Sequence, residues 1–136
     1  MSQENVELVK AAFDAWNDGK LEDVLPFVAE DIEWLEVEGR PEVGMEGEVR
    51  GSETVRSMLE SLFETWETYR LEPEQVRDLG GDRVIAVMRE SARGRASGAE
   101  VASRWGYLLT IRDGKLARVE AYRDPKRALE AAGLSE

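Results

Sequence analysis

Two side chains in this sequence are spaced to move a proton: Glu36 and Tyr107. Glu36 lies in DIEWLEVEG, Asp31 to Gly39, where Ile32 and Trp34 alternate with Asp31 and Glu33. In a strand, residues two apart share a face. If the alternation holds, Glu36 points with Trp34 into apolar surroundings. Burial there destabilises the charged carboxylate and makes it a base near neutral pH, suited to a proton on carbon beside a carbonyl. If the strand bulges after Trp34, Leu35 and Val37 turn inward and Glu36 is one more surface acid. Tyr107 belongs to a second alternation, Val101, Ser103, Trp105, Tyr107, Leu109 and Ile111. Its hydroxyl is either a donor to a carbonyl or enolate oxygen, or the satisfied end of a buried ring. Arg123 has the strand phase of Val119 and Ala121. It reads either as an anchor for an acidic ligand or as the partner of a nearby acid. Phe13, Trp16, Trp34, Met58, Leu62, Trp66, Trp105 and Leu109 are the candidates to line an apolar cavity; the competing reading for each is plain core.

What is absent narrows the chemistry further. The chain has no histidine and no cysteine. Ser-His-Asp and Cys-His catalysis therefore cannot occur within it, nor can thiolate metal sites or disulfides. Proton transfer falls to Asp, Glu, Tyr, Lys or water. No carboxylate spacing resembles a calcium loop, so neither metal nor cofactor is expected. The formal charge of −11 repels phosphate backbones and anionic membranes, so nucleic acid and membrane partners are not expected. The 136 residues, 42% hydrophobic, suit a single domain over 1–136. No apolar run is long enough to span a membrane, and MSQENVELVK lacks a secretory signal, so a soluble cytoplasmic protein is expected.

These side chains need elements to hold them. Ser2 to about Asp18 reads as a helix with Ser2 as N-cap and Val6, Val9, Ala12, Phe13 and Trp16 on one stripe. Leu21 to Val28 reads as a short or kinked helix, because Pro26 removes a backbone donor. Asp31 to Val37 is the first strand. Gly39 to Gly51, with four glycines and Pro41, is a loop or loose hairpin with solvated Glu42, Glu46 and Glu48. Ser52 is a candidate N-cap for a third helix with Val55, Met58, Leu59, Leu62, Phe63 and Trp66 on its apolar face. Strands follow at Tyr69–Asp78, Arg83–Ser91, Val101–Arg112 and Leu116–Tyr122, with RDGK as a hairpin turn. Arg89 and Glu90, near a strand end, read as structural cross-strand partners of Arg104 and Glu100 across a hairpin. A last short helix starts at Asp124 and Pro125. Helices before a strand meander make an α+β fold, with the N-terminal helices on one face of a curved, mainly antiparallel sheet that encloses a pocket.

Three segments carry a family resemblance: NVELVKAAFDAWNDGKLEDVLPFVAEDIEW, VRGSETVRSML and WGYLLTIRDGKLARVEAYRDP. In their order and spacing the sequence resembles the SnoaL-like branch of the NTF2-like superfamily, with its ketosteroid isomerases and polyketide cyclases. The resemblance implies a cone made by a bent sheet around a long helix, a hydrophobic pocket for a small hydrophobic ligand, and a homodimer through the sheet. It places Glu36 at the isomerase base, as Glu in place of Asp and without the proline that follows there. It places Ala12 where the isomerases carry an oxyanion tyrosine, Tyr107 at or near their protonated aspartic acid, and Arg123 near the pocket mouth. The implied activities are isomerisation or cyclisation of an apolar carbonyl compound. Ligand binding without catalysis, or a dimerisation module, are the alternatives.

Overall fold

Helix α1, Ser2–Asn17, forms because its apolar residues recur at helical spacing. Val9, Ala12, Ala15 and Trp16 are buried along one edge. The computed structural model of the chain describes residues 2–40 and 45–134. Asn17 closes α1 by gripping a strand: its amide donates to the Leu71 carbonyl at 2.9 Å and accepts from the Leu71 N–H at 2.8 Å. Gly19, at φ +72°, turns the chain away. Helix α2 is a single turn, Leu21–Val24, followed by a 3₁₀ turn over Leu25–Phe27. Pro26 cannot donate the next helical bond, and this is why the helix stops there.

Strand β1 runs Val28–Arg40, longer at both ends than its alternation suggests, and β2 runs Met45–Arg50. The two pair antiparallel, so the loose hairpin is realised, while Pro41 and Glu42 lie outside the described residues. Helix α3, Ser52–Thr65, begins one residue away from the expected cap. Gly51, at φ +91°, takes the cap position, and Ser52 is already helical. Strands β3 (Trp66–Gly80), β4 (Arg83–Gly94), β5 (Glu100–Arg112) and β6 (Lys115–Tyr122) form an antiparallel meander. The β5–β6 turn has Asp113 at φ +55° and Gly114 at φ +74°, the positive pair that a tight two-residue hairpin requires. Pro73 sits on the edge strand β3, where the register to β4 slips, the position at which a missing donor costs least.

The sheet order is β2-β1-β6-β5-β4-β3, with β1 parallel to β6 and the other pairs antiparallel. The parallel pairing was not visible in a reading of consecutive hairpins. On the outer face Arg118 of β6 ties the pair together, bonding Glu33 of β1 at 2.7 Å and Glu120 at 3.3 Å. Burial works against its guanidinium, but the bonds to Glu33 and Glu120 outweigh this and hold its pKa above the ordinary value. Register slips in four of the five strand pairs bend the ladder.

The main core lies between the inner face of the sheet and α1 to α3. Helix α4, Pro125–Ala131, is different: it packs on the opposite face, over Ile85, Leu108 and Tyr122. Asp124 caps it by accepting the Lys126 N–H at 3.0 Å. Its close seat depends on Gly106, where an added Cβ would lie 2.5 Å from Ala128 Cβ and 3.1 Å from Pro125 Cα. Gly106→Ala is therefore expected to lift α4 and cost about 2 kcal/mol in urea denaturation, as overpacked sites do.

Candidate functional site

Four strands bring the candidate residues onto the inner face. Trp34, Val119, Leu109 and Val84 form one cross-strand row, on β1, β6, β5 and β4. Glu36, Ala121, Tyr107 and Ala86 form the next. Glu36 and Tyr107 thus stand two strands apart, roughly 10 Å at the backbone, with Ala121 of β6 between them in the row. The alternation does persist past Trp34. Glu36 is 3% exposed, and the slip in the β1–β2 register comes after it, before Arg40. Trp34 Nε1 donates to Glu36 Oε2 at 2.6 Å, a short bond of the kind a charged acceptor makes.

Next to this row lies a cavity of about 40 Å³, walled by α1, α2 and the sheet. Val9, Ala12, Phe13 and Trp16 form its α1 side, and Trp34, Leu71, Tyr107, Leu109 and Val119 face them from the strands. By the same measure a water needs roughly 10–15 Å³, so the space holds only a few waters. A ligand must displace side chains to enter. Phe13, partly buried on α1 with its ring centroid 5.8 Å from that of Tyr107, is the wall residue placed to move.

Of the residues singled out in the sequence, Phe13, Trp16, Trp34, Tyr107 and Leu109 meet at this cavity. Glu36 is not on its wall; it lies behind the Trp34 indole that it binds. Trp105 stacks on Tyr107 with centroids 6.3 Å apart, one residue pair further along β5. Arg123 is exposed, with its guanidinium carbon 5.1 Å from the Trp105 ring centroid. Leu62 is buried on α3 and Met58 packs at the edge of the core, both away from the cavity wall. The reason is that α3 lies against β1 and the start of β3, while α1 covers the cavity. Trp66, at the start of β3, is also off the wall.

The structure adds a residue to which the sequence assigned only a cross-strand structural role. Glu90 is 5% exposed. One of its oxygens accepts the Tyr69 hydroxyl and the other accepts Ser103 Oγ at 2.8 Å. Ser103 in turn accepts Trp105 Nε1 at 3.2 Å. Arg89 and Arg104 instead face each other on the outer surface and share Glu74, at 3.5 and 3.0 Å, while Glu100 pairs with Arg93 at 2.8 Å. Two other indoles stand out. The Nε1 atoms of Trp16 and Trp66 are buried with no acceptor among the described residues. A buried donor left so costs about 1–3 kcal/mol. No group of carboxylates among the described residues is arranged to hold a metal ion.

Comparison with known proteins agrees with this architecture. TerC, in a structure co-crystallized with polyporic acid, is 25% identical, with 96% of this chain and 98% of that one covered and a TM-score of 0.77. An NTF2-like protein from Burkholderia xenovorans LB400 is 31% identical over 97% of each chain, with a TM-score of 0.72. A protein described as a putative polyketide cyclase from Pseudomonas putida KT2440 is 21% identical over 88% of this chain and 91% of that one, with a TM-score of 0.71. Among curated proteins none matches. The SnoaL-like domain family matches residues 9–119, most of α1 through β6. With that match and an NTF2-like fold throughout, the chain belongs to the SnoaL-like domain family.

Proposed function

We propose that this domain takes a small apolar carbonyl compound into the cavity under α1 and moves a proton at the carbon beside the carbonyl. The observation that carries the reading is the burial of Glu36 in one row with Tyr107, across the small Ala121. Glu36 acts as the base. Its Oε2 is held by the Trp34 indole, which fixes the carboxylate's orientation. The Tyr107 hydroxyl donates to the oxygen on which negative charge develops as the proton leaves. Return of the proton to a different carbon gives isomerisation. Attack of the carbanion on a second carbonyl in the same molecule gives cyclisation. The apolar wall excludes water from both steps. The family supports the reading, as do a neighbour holding polyporic acid and another described as a polyketide cyclase.

One observation favours a second reading, ligand binding without catalysis. Glu36 lies off the cavity wall, and the same Trp34 bond that would orient a base also satisfies a buried acid. One experiment separates the two. 1-Indanone, an enolisable aryl ketone, is incubated with the protein in deuterium oxide and its C2 protons are followed by NMR. The catalytic reading expects exchange above the buffer rate that depends on Glu36. Binding of 1-indanone with exchange no faster than in buffer leaves the binding reading alone.

A further inference from the structure

With the cavity as the ligand site proposed above, we infer that the Trp16 indole N–H is the donor that selects a ligand bearing a neutral oxygen acceptor, such as a ketone. Trp16 is 5% exposed and forms part of the cavity wall. Among the four tryptophans, Trp34 and Trp105 have acceptors for their indole N–H, in Glu36 and Ser103. Trp16 Nε1 has none among the described residues. Trp66 is in the same condition, but it is not on the cavity wall; it lines a groove at the start of β3. Of the two residues with an orphaned indole N–H, only Trp16 is on the cavity wall.

The rest of the wall offers the ligand oxygen one other hydroxyl or N–H that the proposal uses, the Tyr107 hydroxyl. Apart from Trp16, Trp34 and Tyr107, the residues around the cavity are aliphatic or phenylalanine. The Trp34 N–H is already engaged by Glu36. Ala12, one helical turn before Trp16 on the same face, is a small residue of the same wall. A donor buried without an acceptor has already lost its bond to water. A ligand oxygen that reaches it therefore gains a hydrogen bond with no such loss on the protein side. A hydrocarbon of the same shape fills the cavity but leaves the N–H orphaned, and a site of this kind discriminates strongly against such an analogue.

The test compares 1-indanone with indane, its hydrocarbon counterpart, on the wild-type protein, Trp16→Phe and Trp66→Phe. Wild type is expected to bind 1-indanone more tightly than indane. Trp16→Phe should weaken 1-indanone binding about tenfold and leave indane binding unchanged, the size of one hydrogen bond. Trp66→Phe should change neither. The fold of Trp16→Phe is checked by thermal unfolding, with a midpoint expected close to that of wild type, since removal of an orphaned donor offsets the loss of buried ring volume. A second measurement needs no variant. In the ¹⁵N–¹H spectrum of the wild type, 1-indanone should shift the Trp16 indole signal downfield and indane should not. That signal is assigned by its contacts to Phe63 and Tyr69, whose ring centroids lie 5.2 and 5.7 Å from that of Trp16. Equal weakening of both ligands, no weakening of either, an unmoved indole signal, or a wild type with no preference for 1-indanone each overturns the assignment. Loss of Glu36-dependent exchange with the Trp16 preference intact ends the catalytic reading alone. Exchange that persists without the preference removes only the Trp16 donor.

Discussion

Glu36→Gln is expected to slow deuterium exchange at C2 of 1-indanone by about 100- to 10,000-fold, the range for removing a general base. The substitution is chosen to spare the fold. A glutamine oxygen accepts the Trp34 N–H as the carboxylate does at 2.6 Å, and the amide fills nearly the same volume. Stability and 1-indanone affinity should therefore stay close to wild type, so that the loss appears in the chemical step. Glu36→Ala is the contrasting case. It removes the base and also strands a buried indole N–H, so exchange and stability fall together. Undiminished exchange by Glu36→Gln, with 1-indanone bound, would take this residue out of the mechanism.

The second large effect is expected at Glu90. Its two oxygens accept from Tyr69 and Ser103, and Ser103 holds the Trp105 indole. Glu90→Ala deletes the acceptor of the buried Tyr69 hydroxyl, at about 1–3 kcal/mol, while the exposed Ser103 hydroxyl turns to water. A net loss of about 2 kcal/mol is expected, read as a fall in the thermal midpoint of roughly 7 °C for a chain of this size. Glu90→Gln keeps an acceptor and the volume, and should lose about a third of that. Equal stability of Glu90→Ala and wild type would show that the carboxylate contributes nothing to holding β3, β4 and β5 together.

Glu90 also marks where the sequence was legible and where it was not. The alternation of β5 from Trp105 to Ile111 was readable because Gly106 and Thr110 interrupt the apolar run between the inward residues, although both faces are buried as far as Leu109. The same rule puts Glu90 in phase with Val84, Ala86 and Met88, and opposite Ser103. The run Val84 to Met88 is apolar on both faces, since α4 covers the outer one, and this hid the phase. The inward turn of Glu36 stayed open for a related reason. Leu35 and Val37 are apolar too, and the outer-face core reaches as far as Val37. The Pro26 kink, the RDGK turn and the Asp124 cap are local chemistry and could be read directly. The pairing of β1 with β6 joins residues more than eighty positions apart, and no local pattern encodes it.

That pairing has a consequence for how the protein assembles. Strands β3 to β6 follow one another through short turns and can zip up from neighbouring contacts. The β1–β2 hairpin reaches the sheet only along β6, the last of the six strands in chain order. Long-range pairing of this kind is slow to form, since a large loop must close before any contact rewards it. The side of the cone that carries Trp34 and Glu36 is therefore expected to dock late. Until it does, the half-built sheet exposes the β6 edge, the strand most open to pairing with another nascent chain.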